Sequence, residues 1–309
     1  SRIMYLGIDL GTSGIKVIVL GQDGKVVDSA AAELIVSRPF PLWSEQNPEH
    51  WWLGLQQCLD QLSQRQSLQG VLAIGLAGQM HGATLLDAAH QVIRPAILWN
   101  DGRSFLQCQQ LTAAVPELPE ITGNLAMPGF TAPKLLWLQQ REPVNFARVA
   151  KVLLPKDYLR FCLSGDFASD LSDSAGTLWL DVAKRDWSDK MLTACGLSRA
   201  QMPKLYEGNQ ITGVLLPELA RRWGLPSQLP IIAGGGDNAA GAVGAGIVQP
   251  GQAMLSLGTS GVYFAVSDGF KANPQSAVHS FCHALPGTWH LMAVTLSAAS
   301  CLQWYADQL

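Results

Sequence analysis

Leu10-Gly11-Thr12-Ser13-Gly14 recurs residue for residue as Leu257-Gly258-Thr259-Ser260-Gly261, 247 positions further along the chain. Each copy follows an apolar run and precedes another, so each reads as a tight turn between two strands. Gly, Thr and Ser favour turns wherever they occur, so convergence is one explanation. Five identical residues in equivalent settings point instead to duplication of a whole domain. A chain of 309 residues accommodates about two domains at roughly 150 residues each. Only 53 residues follow Ser256. A first domain over residues 1–248 is therefore expected, with residues 249–309 as an incomplete second copy.

Composition narrows the function classes. The chain is 48% hydrophobic and 15% charged, with a mean hydropathy of +0.14, which excludes a disordered chain. Lys and Arg number 21 against 24 Asp and Glu, so the net charge of −3 supplies no attraction to nucleic acid or an anionic membrane. Every long apolar run is broken by a charge or a glycine, which argues against a membrane span. The opening residues reach Asp9 too soon for a secretory leader. Cys58, Cys108, Cys162, Cys195, Cys282 and Cys301 show no CxxC spacing, as expected of a reduced cytoplasmic protein. His279-Ser280-Phe281-Cys282-His283 superficially resembles a metal cluster, but no second ligand group accompanies it, and alternate residues of a strand face opposite ways.

The first residues read as a β-meander: Ile3 to Asp9, Ile15 to Leu20, then the turn Gly21–Gly24 and Lys25 to Val36. A helix starts at Pro48 with Asn47 as its N-cap. Val71 to Ala77, Arg94 to Trp99 and Pro230 to Ala233 read as strands, and helices are expected at 131–141, 155–164, 187–195, 215–224 and Asp237 to Gly246. Alternation of strands with helices predicts an α/β fold.

A glycine-rich turn between strands presents backbone N–H groups with no side chain in the way, a nest suited to phosphate oxygens. Gly11-Thr12-Ser13 and Gly258-Thr259-Ser260 both qualify, with the hydroxyls as further donors. The first copy has Asp9 where the second has Ser256. A carboxylate beside a phosphate cradle makes sense with Mg²⁺ between them. Lys16 adds positive charge nearby or is a strand-surface lysine. No GxxxxGK[ST] motif occurs, which excludes a P-loop. Gly234-Gly235-Gly236-Asp237 mimics a dinucleotide fingerprint, but the ribose-binding acid about 20 residues on is absent. Asp237 instead ends an apolar strand and begins a helix, where an ionised carboxylate is favoured and can take a proton from a hydroxyl. Helix N-capping is a compatible role.

Asp9–Ser13, Gln79-Met80-His81-Gly82, Trp99–Arg103, Thr131–Trp137, Gly236-Asp237-Asn238 and Ser256–Ser260 resemble the FGGY carbohydrate kinases along essentially the whole chain. Trp43–Gln46, Met80–Thr84 and Leu154–Arg160 resemble most closely the members that phosphorylate pentuloses. The resemblance implies an actin-like, ribonuclease H-like domain in two copies, with ATP and Mg²⁺ as cofactors and a small sugar as substrate. Asp237 is then the general base and Asp9 the carboxylate on the metal side. Gly11, Thr12, Ser13, Gly258, Thr259 and Ser260 form two phosphate loops; Met80 and His81 contact the sugar, with Asn238 beside the base. Trp99 either stacks on the sugar or is a buried core residue, and Asp101 pairs with Arg103 or reaches a sugar hydroxyl. Family members continue beyond this end with a Gly-Gly-Gly-Ala adenine motif. The chain alone is therefore expected to bind sugar weakly, transfer little phosphate and self-associate, a homodimer being one outcome. Another polyol kinase, a non-kinase actin-like ATPase and an inactive sugar-binding fragment stay open.

Overall fold

The computed structural model describes residues 2–236 and the backbone of four later strands, Ala253–Leu255, Tyr263–Ser267, His279–Cys282 and Trp289–Met292. Met4–Leu10 (β1) buries six of its seven residues, so neither face can meet water and the strand sits inside a sheet. Gly14–Gly21 (β2) pairs antiparallel with β1, and Val26–Glu33 (β3) pairs antiparallel with β2. Val71–Gly78 (β4) flanks β1 on its other side, in parallel. Ile211–Val214 (β5), Pro230–Ile232 (β6) and Gly235–Gly236 (β7) complete a seven-stranded mixed sheet of order β5-β6-β4-β1-β2-β3, with β7 also on β4. The expected meander is present, its third strand shorter than Lys25 to Val36.

Pro48–Arg65 (α1) begins as expected, the Asn47 side chain accepting the Glu49 N–H at 3.0 Å. Trp51, Leu55, Leu59 and Leu62 recur at helical spacing, and all are fully buried in the core that includes β1. Thr131–Arg141 (α2) and Pro155–Ser164 (α3) match the expected ranges. The helix expected at 187–195 covers only Asp189–Ala194, because the Ser188 hydroxyl accepts the Met191 N–H and fixes the start there. The helix expected at 215–224 runs Pro217–Trp223 (α4) and stops at Gly224, whose φ is +61°. The strand expected from Arg94 to Trp99 shrinks to Ala96–Ile97; Pro95 has no N–H for a ladder, and Arg94 turns to Glu45 and Glu142. Asp237 to Gly246 lies outside the described residues.

A fully buried charge cluster ties α3 to the sheet. Lys156 Nζ lies 2.9 Å from Asp157, 2.6 Å from Asp170 and 2.9 Å from Asp173. Arg160 donates to the carbonyls of Ile232 (2.9 Å) and Ala233 (2.6 Å). These carbonyls lie where the strand breaks between β6 and β7. At the break Gly234 has φ +74°, and a Cβ there would come within 2.2 Å of the Leu76 carbonyl oxygen, so only glycine fits. The cluster holds two cations and three carboxylates. Burial, partly offset by Lys156, pushes Asp173 up to about 7, and the three carboxylates raise Lys156 against the effect of its own burial.

Among the described residues no helix is long and apolar enough to cross a membrane. Lys156→Met should leave buried Asp170 and Asp173 without their cation, Asp157 keeping Arg160, and cost about 3–5 kcal/mol, read as a lower urea midpoint at unchanged slope.

Candidate active site

β1, β4 and β7 end together at one edge of the sheet. Asp9 stands in register with Ala77, which pairs with Gly235; Leu10 stands beside Gly78, which pairs with Gly236. Asp9 and the strand leading to Asp237 thus flank β4, two strand spacings or about 10 Å apart. Asp237, Asn238, Gly258, Thr259 and Ser260 lie outside the described residues. The second repeat falls in sequence between Ala253–Leu255 and Tyr263–Ser267, which pair antiparallel. The first falls between β1 and β2, also antiparallel.

The Gly11–Ser13 loop has an unusual polarity. Four successive carbonyls are bonded: Leu10 to the Gln79 N–H (2.7 Å), Gly11 to Gln79 Nε2 (3.4 Å), Thr12 to Gln46 Nε2 (2.5 Å) and Ser13 to the Leu34 N–H (3.0 Å). In a trans peptide the C=O of one residue and the N–H of the next point opposite ways. The Thr12 and Ser13 N–H groups therefore point away from the glutamines, and no described residue accepts from either. Two successive N–H groups are thus turned away from the glutamines, while the Gly11 N–H is already bonded to the Gly14 carbonyl at 2.9 Å.

Asp9 is half-buried opposite exposed Lys16 on β2. Burial raises its carboxyl to about 6, with Lys16 pulling the other way. No described residue forms an ion pair with it.

Met80 and His81 follow β4, both half-buried. His81 has φ +71°, a strained value for a residue with a Cβ. Two contacts hold it there. Thr131 Oγ1–H, at the start of α2, donates to the His81 carbonyl at 2.8 Å, and His81 Nδ1 lies 2.7 Å from the Gly176 carbonyl. A carbonyl only accepts, so Nδ1 carries a proton and donates it to Gly176.

Of the two expectations for Trp99, burial in the core is not met. Trp99 is 47% exposed, and its indole N–H reaches Thr12 Oγ1 at 2.9 Å, joining the loop to the surface beside it. Asp101 is buried and committed. Its oxygens accept from Arg103 Nη2 (2.7 Å) and the Ser44 N–H (2.7 Å), while the Arg103 guanidinium stacks 3.6 Å from the Trp43 ring. Of the two roles left open for Asp101, the ion pair is the one formed. Gln46 and Gln79 were missed as individual residues, although both lie in stretches that carried the resemblance.

Residues 4–244 match the N-terminal domain of the FGGY family of carbohydrate kinases. The chain belongs to that family. It is 66% identical over 303 residues to the xylulose kinase of Escherichia coli K12, covering 98% of this chain and 62% of that protein. The Lactococcus lactis xylulose kinase is 41% identical, covering 98% and 61%. Among solved structures, a xyloylose kinase from Brucella ovis superposes with a TM-score of 0.89 at 51% identity, covering 99% of this chain and 63% of that one. A xylulose kinase from Rhodospirillum rubrum gives 0.87 at 27% identity, covering 94% and 61%. This FGGY chain thus spans a little over three fifths of the length of these relatives, and it has the expected actin-like α/β architecture.

The raised Asp9 pKa carries a cost for the FGGY fold. The ionised carboxylate is disfavoured when folded, so the penalty is absent below the unfolded pKa and complete above about 6. Asp9→Asn should therefore raise Tm near pH 8, with the gain disappearing as pH falls toward 4. Differential scanning calorimetry across that range checks it; a pH-independent gain would contradict the assignment.

Proposed function

We propose that the chain belongs to an ATP-dependent kinase that converts D-xylulose to D-xylulose 5-phosphate. The observation that carries this reading is the shared end of the sheet: a half-buried carboxylate, two backbone N–H groups turned away from the bonded carbonyls and the Met80–His81 loop emerge from adjacent strands. The choice of xylulose rests on the names of the relatives. In this reading residues 1–248 form the sugar-side domain, and residues 249–309 belong to the nucleotide side.

Met80 and His81 bind the sugar, with Trp99 presenting its exposed face to the C–H surface and Asn238 beside the base. His81 offers its ring to the sugar while Nδ1 stays tied to Gly176. The Thr12 and Ser13 N–H groups, with Gly11 allowing close approach, hold phosphoryl oxygens; Gly258, Thr259 and Ser260 do the same from the other repeat. Asp237 takes the proton from the attacking hydroxyl as the phosphoryl group transfers from ATP. The Asp9 carboxylate, desolvated and without an ion-pair partner among the described residues, fits a Mg²⁺ site through water. When bound, Mg²⁺ neutralises charge on the phosphates.

Asp237→Ala in the complete protein should lower kcat about 10²–10⁴-fold and leave the xylulose Kd, measured by calorimetry, within about threefold. Near-normal turnover would make Asp237 a helix cap and not the base. A panel of pentuloses and polyols tests the sugar: preference for another would move the reading to a sister kinase.

A further inference from the structure

Gln46, the last residue of Trp43-Ser44-Glu45-Gln46, and Gln79, the first of Gln79-Met80-His81-Gly82, have no part in the chemistry above, yet both reach the Gly11–Ser13 loop. Gln46 is fixed in orientation by logic as well as by distance. The Trp51 indole only donates, and it points to Gln46 Oε1 at 2.9 Å. Gln46 must then present Nε2 to the Thr12 carbonyl. Gln79 meets the same Oε1 at 3.2 Å, so it too must turn Nε2 that way, which places the same amide group 3.4 Å from the Gly11 carbonyl. Both glutamines are buried, at 3% exposure each, and Trp51 is fully buried. Water therefore cannot easily replace them.

We propose that Gln46 and Gln79 act as a pair of positioning residues for phosphoryl transfer, holding the Gly11 and Thr12 carbonyls inward so that the following N–H groups face the phosphoryl oxygens. The inference rests on reading this loop as a phosphate cradle, and it assigns work to residues that touch neither sugar nor phosphate. Trp51 orients Gln46, Gln46 receives Gln79, and each amide holds one peptide. If either carbonyl is released, its peptide can rotate and present an acceptor where a donor is needed. The loss would fall on the transition state, where donor alignment matters most.

Gln79→Glu in the complete protein gives a signature that a merely structural role would not produce. The introduced carboxyl has nearly the same shape, but it can donate to the Gly11 carbonyl only while protonated, and burial raises its pKa. At pH 8, kcat should fall about 10–100-fold with the sugar KM within about threefold. Relative to wild type, kcat should recover severalfold as pH is lowered to 6. Gln46→Met, which cannot donate at any pH, should lose kcat without that recovery. Both variants should bind inorganic tripolyphosphate at least about fivefold more weakly, with sugar affinity kept. Folded variants with kcat and tripolyphosphate affinity within twofold of wild type would overturn the proposal, as would a pH-independent loss in Gln79→Glu. A wild-type protein that phosphorylates no sugar would instead overturn the kinase reading. The tripolyphosphate comparison would then decide the glutamine pair by itself.

Discussion

The parallel pairing of β1 with β4 is the constraint on which the site depends. Both strands leave the sheet at the same level, Leu10 beside Gly78, and the Gln79 N–H closes one further bond onto the Leu10 carbonyl. That extra rung keeps the two exits together beyond the sheet proper. One exit becomes the Gly11–Ser13 loop and the other the Met80–His81 loop, so the two are neighbours by register. Gly78 permits a third approach: a Cβ there would lie 3.1 Å from Lys156 Cβ and 3.3 Å from Leu10 Cβ. The start of α3 can therefore seat directly behind the strand ends.

Backbone outside the sheet still needs partners, since a buried carbonyl without one is costly. The fold meets this need with buried Arg and Lys donors. Arg160 takes the carbonyls at the β6–β7 break, and Lys134 takes those of Pro128, Gly129 and Phe130 at 2.9, 2.6 and 3.2 Å. Lys134 has no carboxylate in contact among the described residues, and burial, opposed by the charge of Asp101, brings it down to about 7. Lys156, ringed by three carboxylates, is moved the opposite way. The same residue type at the same depth thus has opposite proton affinity, and the neighbouring charges decide it. In both places buried side-chain donors fix irregular backbone next to the site.

What was legible in the sequence was what local chemistry determines. Pro133 and Pro155 stand in the first turns of α2 and α3, Pro48 follows a capping Asn47, and the alternation of strands and helices gives the class of fold. The repeat located the loop between β1 and β2. Less legible were features decided by contacts far apart in the chain. Trp99 is exposed because its N–H is drawn to Thr12, 87 residues away, and no periodicity encodes that. Gln46 and Gln79 are 33 residues apart, and each looks like an ordinary polar residue at a strand end. Ser188 did carry a local signal, but the apolar Trp187 before it read as the first helical residue.

Thr12 shows why such residues are hard to assign singly. Its carbonyl is held by Gln46, its hydroxyl accepts from Trp99, and its N–H faces outward. Two of these contacts come from opposite sides: Gln46 from the segment leading into α1, Trp99 from the segment that continues into the Asp101–Arg103 pair. Arg103 is itself pinned between Asp101 and Glu45, 2.7 and 2.9 Å from their oxygens, and by the Trp43 ring. Trp43, Glu45 and Gln46 lie on one short stretch of chain. That stretch therefore braces the loop directly through Gln46 and the Trp99 segment indirectly through Arg103. Thr12 is therefore where the surface proposed for sugar and the brace of the loop proposed for phosphate meet, the first through its hydroxyl and the second through its carbonyl.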